Sequence, residues 1–166
     1  MGCGKSTIGK ILAKDRGIFF LDTDAWIEEK EQITISEMFA TKGEAYFRDL
    51  ETKCIEELLK ESNGDGQSES SGKVISVGGG LPIKEENRQL LKQLGTVIYL
   101  KATEETIYNR LKTDTTRPLL QGDNPKQKIK NLMEMREAFY CQASDFIVEV
   151  DHKGIHKIVE EIKSYL

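Results

Sequence analysis

The chain has 166 residues, 38% of them hydrophobic, with 24 Lys and Arg against 28 Asp and Glu and a formal net charge of -4. This length suits one domain, and the mildly acidic balance disfavours binding to nucleic acid or to a membrane through a basic surface. No apolar stretch reaches the roughly 18 residues that cross a bilayer, no signal peptide is visible, and 3 cysteines without a CxxC pair favour neither disulfides nor zinc, so we expect a reduced cytoplasmic protein.

The first seven residues, MGCGKST, resemble the second half of a phosphate-binding loop, G-x-x-x-x-G-K-[ST]. In such a loop, backbone N–H groups converge on the phosphates, and the next helix adds its positive N-terminal end. The motif predicts that Lys5 contacts the β- and γ-phosphates and that Ser6 binds Mg²⁺. The alternative is a chance occurrence of GKST at the start of a helix.

The first glycine of that motif, and the apolar strand that usually leads into it, do not occur in the sequence. We expect the true start to lie upstream, so that the chain as written is a fragment with little ATP turnover. The alternative is a shortened homologue that has lost catalysis.

Hydrophobic spacing predicts helices that alternate with short strands. The helices are expected over 5–16, 46–60, 104–112, 127–140 and 155–165, with short helices between 26 and 39, where Ser36 is the expected N-cap, and one around Leu90. The strands are expected over 18–21, 74–77, 96–100 and 146–150. This alternation predicts a parallel sheet covered on both faces, with five strands if a missing leader strand is counted.

Two acidic residues, Asp22 and Asp24, follow the first predicted strand. Residues i and i+2 of a strand point to the same side, so both carboxylates are expected to face the crevice at the carboxyl end of the sheet. One would order the water shell of Mg²⁺, and the other would accept the hydroxyl proton of an alcohol substrate. The alternative is that one of them caps the following helix.

Three adjacent glycines, Gly78, Gly79 and Gly80, follow the second predicted strand. Such a run is entropically costly, which favours a place where a ligand approaches the main chain over a plain turn.

Three arginines, Arg48, Arg117 and Arg136, fall in predicted loops or near predicted helix ends. A guanidinium binds a carboxylate or a phosphate through two parallel N–H bonds. Taken alone, each arginine fits a solvated surface residue or an ion-pair partner better than a ligand-binding role.

Six segments resemble shikimate kinases in their order and spacing: MGCGKSTIGK, FLDTD, GEAYFRDLE, VISVGGG, TRPLL and MREAFYCQASD. The resemblance covers nearly the whole chain. It implies an α/β fold, the three-layer P-loop kinase fold, with a five-stranded parallel sheet flanked by helices, the first central strand being absent here. It also implies substrate-binding helices over about 24–60, a flexible insertion over about 61–73 and a lid over about 113–125.

The activity implied by the resemblance is transfer of the γ-phosphate of MgATP to the 3-hydroxyl of shikimate, a step of aromatic amino-acid biosynthesis, by a monomer. The implied catalytic residues are Lys5, Asp24 and Arg117. The implied ATP-binding residues are Gly2, Cys3, Gly4, Lys5, Ser6, Thr7, Arg110 and Arg117. The implied shikimate-binding residues are Asp24, Arg48, Gly78, Gly79, Gly80 and Arg136, and the implied Mg²⁺ ligands are Ser6 and Asp22. The alternatives are another small-molecule kinase of this fold, such as a gluconate kinase, and a catalytically silent kinase-like module.

Overall fold

The computed structural model describes residues 2–63, 72–112 and 124–166. In these ranges the helices are α1 (Lys5–Arg16), α2 (Thr23–Glu31), α3 (Ile35–Thr41), α4 (Gly43–Asn63), α5 (Glu85–Leu94), α6 (Glu104–Leu111), α7 (Pro125–Ala143) and α8 (Ile155–Lys163). The strands are β1 (Phe19–Asp22), β2 (Lys73–Ser76), β3 (Ile98–Lys101) and β4 (Phe146–Glu149), and a 3-10 turn covers Leu81–Ile83. Most of the expected insertion and lid, together with Arg117, lies outside the described residues.

The strands form two parallel pairs, as their connection through helices requires. Strand β1 pairs with β2, with Phe19 opposite Lys73, and β3 pairs with β4, with Ile98 opposite Phe146. The predicted parallel α/β architecture is therefore confirmed, with four strands in the described ranges. A cavity of about 290 Å³ lies between the two pairs, and apolar residues of β2, α5 and β3 contribute to its walls.

The core has three parts. The largest joins α1, α6 and α8 to β3 and β4, the second joins α2, α3 and α4, and the third joins α4 to α5 and the 3-10 turn. Helix α1 packs closely on β1 because Gly9 has no side chain: a Cβ there would lie 2.7 Å from Cε2 of Phe20. Within the described ranges, no helix has the length and apolar character to span a bilayer.

The predicted element types are right, but several ends differ. Helix α4 begins at Gly43, three residues before the predicted start, and α7 extends the prediction at both ends. The prediction that Ser36 is an N-cap is wrong, because Thr34 caps α3. The Thr34 hydroxyl accepts the Glu37 N–H at 3.2 Å, and the Glu37 carboxylate accepts the Thr34 N–H at 2.8 Å. This reciprocal capping box satisfies two N–H groups that the start of a helix leaves without partners, and Ser36 offers no equivalent pair.

Helix α8 gives a matched test of the core, because it carries the exposed Ile155 close to the buried Ile158. Ile158 is 1% exposed and Ile155 is 41% exposed. We expect Ile158→Ala to lower the free energy of unfolding by about 2–5 kcal/mol, the usual loss when a buried isoleucine is truncated and leaves a cavity. Ile155→Ala should lower it by about 1 kcal/mol or less. Urea denaturation measures both, and equal losses would contradict the described packing of α8.

Candidate functional site

The residues of the phosphate-binding motif form a tight turn that leads into α1. Gly2 and Gly4 adopt left-handed backbone angles, with φ of 66° and 93°. Gly4 precedes the first helical residue, and its carbonyl accepts the N–H of Ile8 at 2.9 Å. The first turn of α1 contains no acidic residue, so its positive N-terminal end is not neutralised locally. This geometry suits an anion at the start of α1 and supports the phosphate-loop interpretation of the motif.

The loop packs against α6, which carries the predicted ATP-binding residue Arg110. A guanidinium N–H of Arg110 donates to the Gly2 carbonyl at 3.4 Å. A Cβ at Gly2 would lie 3.0 Å from the side chain of Leu111, so this position has little room for a side chain. Cys3 is buried in the core beside the loop, while Thr7 is exposed on the first turn of α1. The predicted ATP-binding residues that the structure describes therefore cluster around the start of α1.

A hydrogen-bonded set of polar groups connects the phosphate loop to α2. The Ser6 hydroxyl donates to Oδ2 of Asp22 at 2.8 Å, and Oδ1 of Asp22 accepts the N–H of Asp24 at 3.1 Å. Asp22 ends β1 and caps α2, whereas Asp24 belongs to α2. The expectation that the two carboxylates follow the i, i+2 alternation of one strand is wrong, because the helix begins at Thr23. Both aspartates still border the same cavity.

Ser6 and Asp22 have the donor chemistry that Mg²⁺ prefers, since a hydroxyl and a carboxylate are hard oxygen ligands. Their oxygens lie 2.8 Å apart at the start of α1. Across the ranges that the structure describes, no group of three His, Cys, Asp or Glu residues could hold a metal ion by itself. This donor set fits a Mg²⁺ ion that takes one carboxylate and one hydroxyl from the protein and its other ligands from phosphates and water.

A cavity of about 710 Å³ opens between the phosphate loop, α2, α4 and the glycine run. Apolar walls come from α3 and α4 through Phe39 and Phe47. Most of the predicted catalytic, metal and substrate residues line it: Lys5, Ser6, Asp22, Asp24, Arg48, Gly78, Gly79, Gly80 and Arg136. The cavity therefore combines cationic, acidic and apolar surfaces.

The glycine run is crowded by the functional side chains themselves. A Cβ on Gly80 would overlap the Arg48 guanidinium, and a Cβ on Gly78 would lie 2.5 Å from Oδ1 of Asp24 and 2.9 Å from Oε1 of Glu51. The Gly78 N–H donates to the Thr23 hydroxyl at 3.0 Å. A larger residue at Gly78 or Gly80 would therefore displace the side chains of α2 and α4 that pack directly on the main chain.

Two glutamates of α4 hold Arg48 in place. Its Nη1 donates to Glu51 at 2.7 Å, while its Nε and Nη2 donate to Glu44 at 3.1 and 2.6 Å. Burial alone would lower the pKa of Arg48, but the hydrogen bonds and charges of Glu51 and Glu44 outweigh it and raise that pKa. Burial raises the pKa of Glu51, against the opposing effect of Arg48. The guanidinium remains charged and is fixed on the cavity wall.

Sequence reasoning missed Glu51, Thr23 and Tyr140. A signal existed for Glu51, because Arg48 and Glu51 are spaced i, i+3 on the helix predicted over 46–60. Tyr140 follows Arg136 by one helical turn, and its hydroxyl donates to the Gly79 carbonyl at 2.7 Å. Thr23 carried no signal, since its contact with Gly78 joins residues 55 positions apart.

Comparisons with known proteins point to one family. The sequence profile described as shikimate kinase matches residues 1–166. The shikimate kinase of Persephonella marina is 43% identical over 162 residues, which is 98% of this chain and 92% of the relative. That of Geobacter metallireducens is 39% identical over 166 residues, which is 100% of this chain and 87% of the relative.

Solved structures agree with these sequence matches. The shikimate kinase of Acinetobacter baumannii in complex with shikimate superposes with a TM-score of 0.88 at 34% identity, covering 99% of this chain and 87% of that one. The shikimate kinase of Aquifex aeolicus gives a TM-score of 0.80 at 35% identity, covering 99% and 90%.

The buried glutamate of the cavity predicts a pH effect on stability. Because burial raises the pKa of Glu51, the folded chain keeps this proton at pH values where the unfolded chain has lost it. Its contribution to stability is therefore complete below the ordinary value of 4.5 and declines as the pH rises through the folded pKa. Relative to Glu51→Gln, the wild type should be more favoured at about pH 4.5 than at about pH 7.5 in urea denaturation.

Glu44→Gln is the matched control, because Glu44 pairs with the same guanidinium and is 62% exposed. We expect it to lower the free energy of unfolding by about 1 kcal/mol or less at neutral pH. If the difference between wild type and Glu51→Gln were the same at both pH values, the altered pKa of Glu51 would be refuted.

Proposed function

The chain belongs to the shikimate kinase family, and we propose that it transfers the γ-phosphate of ATP to the 3-hydroxyl of shikimate, a step of aromatic amino-acid biosynthesis. One observation carries the assignment of roles: Arg48, Arg136 and Asp24 border a single cavity that reaches the phosphate loop. Shikimate is a small carboxylate with three hydroxyls, so two cations, one carboxylate and an open main chain are complementary to it.

Arg48 and Arg136 are proposed to bind the shikimate carboxylate. A guanidinium has five N–H donors, and the bonds to Glu44 and Glu51 use three of those of Arg48. Those three bonds leave one N–H on each terminal nitrogen, and a guanidinium N–H is a donor that a carboxylate accepts. The glutamates therefore orient Arg48 without using up its donors. In this proposal the helices over about 24–60 form the substrate-binding part of the chain.

Asp24 is proposed to hold the shikimate hydroxyls and to accept the proton of the attacking 3-hydroxyl. It lies on the first turn of α2 beside Gly78, on the same cavity as the start of α1. A carboxylate at this place can align the hydroxyl with the terminal phosphate, and alignment is a large part of catalysis in phosphoryl transfer.

The phosphates of ATP are proposed to lie at the start of α1, in contact with Lys5 and the loop amides, with the base near Arg110. Ser6 and Asp22 would hold Mg²⁺, which supplies positive charge to the phosphates when it is bound. Arg117 is proposed to reach the transferring phosphate, and the sequence motif TRPLL is the basis for this role. Closure of a lid over about 113–125 would exclude water from the reaction. We extend the proposal to a monomeric cytoplasmic enzyme that acts on small molecules, in line with its net charge of -4.

A substrate panel tests the proposed reaction. With MgATP, we expect faster phosphorylation of shikimate than of gluconate, because the cavity combines paired arginines with an apolar wall that suits a ring. A coupled assay for ADP measures the rate, and ³¹P NMR identifies the phosphorylated product. Faster turnover of gluconate than of shikimate would overturn the proposal, and absence of MgATP binding in calorimetry would favour the silent module.

Arg48→Ala tests the carboxylate site. We expect shikimate binding to weaken by about 2–5 kcal/mol, the usual cost of removing one partner of a buried charge pair, while ATP affinity stays nearly unchanged. Titration calorimetry measures both affinities. Arg16→Ala is the control, because Arg16 is an exposed arginine at the end of α1. If Arg48→Ala weakened both ligands equally, Arg48 would be structural.

A further inference from the structure

Tyr140 connects the helix that carries Arg136 to the glycine run. Its hydroxyl donates to the Gly79 carbonyl at 2.7 Å, across 61 positions of the sequence. Its ring lies 5.2 Å from the ring of Tyr99 on β3, which limits the orientation of the side chain. Burial raises the pKa of Tyr140, which keeps the hydroxyl protonated and able to donate. The bond is therefore a fixed link between α7 and the main chain of the site.

The hydrogen bond from Tyr140 fixes the orientation of the Gly79–Gly80 peptide, which has no side chains of its own to hold it. The Gly79 carbonyl and the Gly80 N–H belong to one planar trans peptide, so they point in opposite directions. With the carbonyl held toward α7, the N–H of Gly80 is directed away from Tyr140. Within the described ranges this N–H donates to no other residue. Gly80 is buried and lines the 710 Å³ cavity, so this peptide unit borders the space proposed for the substrate.

Arg136 lies one helical turn from Tyr140. It precedes Tyr140 by four residues on α7, so the two side chains leave the helix on one face. Burial raises the pKa of Tyr140, and the positive charge of Arg136 opposes that effect, as expected for two side chains that lie close together. The Tyr140 hydroxyl therefore bonds to the glycine run from the helix face that carries Arg136.

We propose that Tyr140 is a positioning residue: it fixes the Gly79–Gly80 peptide relative to Arg136, so that both can contact the carboxylate of the substrate. This inference rests on the proposed function and adds a residue that does not itself border the 710 Å³ cavity. The phenol ring occupies the same space with or without its hydroxyl group. The positioning effect is therefore assigned to the hydroxyl. Loss of the hydroxyl leaves the Gly79 carbonyl without this donor and removes the described hydrogen bond between α7 and the glycine run.

Tyr140→Phe tests the inference, with affinities measured by titration calorimetry on the full chain. Shikimate affinity should fall about tenfold, as expected when a partly buried carbonyl loses its donor, whereas MgATP affinity should change by about twofold or less. The uncharged methyl ester of shikimate should bind the variant and the wild type with affinities within about twofold, because the carboxylate interaction is missing from both complexes. Incorporation of 4-aminophenylalanine at position 140, which restores an N–H donor, should bring shikimate affinity back to within about threefold of the wild type.

Tyr99→Phe is the matched control, because it removes a phenolic hydroxyl from the ring that contacts Tyr140. It should leave shikimate affinity within about twofold of the wild type. Equal affinity of wild type and Tyr140→Phe for shikimate would overturn this inference alone. A parallel loss for shikimate, its ester and MgATP, together with a lower melting temperature, would make Tyr140 structural and also overturn it. A wild type that binds no shikimate would overturn the proposed function and this inference together.

Discussion

The site depends on the close packing of charged side chains against a stretch of backbone that has none. Asp24 and Glu51 approach Gly78, and the Arg48 guanidinium occupies the space that a side chain on Gly80 would need. Any other residue at these two positions would push the acidic and basic groups away from one another. The glycine run therefore has a structural purpose as well as an expected role in ligand binding: it lets groups from α2 and α4 converge on one cavity.

Bringing charged groups together in a partly buried cavity is electrostatically costly, and ion pairs within α4 reduce that cost. Glu51 is buried, which makes its ionised form costly, and Arg48 offsets that cost from one turn away. Glu44, which is exposed to solvent, forms an ion pair with the other side of the same guanidinium. Because both glutamates belong to the helix that carries the arginine, the orientation of Arg48 is set before a ligand arrives. Such preorganisation reduces the ordering that binding has to impose.

Much of the fold could be predicted from the sequence, because apolar runs and helical periodicity depend on local spacing. The helix at 5–16 was predicted to the residue, and the parallel arrangement followed from the alternation of elements. Details set by individual hydrogen bonds were not predictable in this way. Thr34 rather than Ser36 caps α3 because Thr34 forms reciprocal hydrogen bonds with Glu37. Asp24 belongs to a helix rather than to a strand because Asp22 caps the start of α2. The links of Thr23 and Tyr140 to the glycine run join residues far apart in the chain, so no local pattern reveals them.

The two arginines reach the cavity from different parts of the fold. Arg48 is carried by α4, which packs with α2, α3 and α5, and Arg136 is carried by α7, which packs against α5 and α6, so α5 contacts both helices. The glycine run is bonded to Thr23 at the start of α2 and to Tyr140 on α7. The backbone of the glycine run therefore contacts the Arg48 guanidinium at Gly80 and the helix that carries Arg136 at Gly79. A carboxylate that contacts both arginines at once requires α4 and α7 to keep a fixed relative position. The packing of both helices on α5 and the hydrogen bonds to Gly78 and Gly79 support that position.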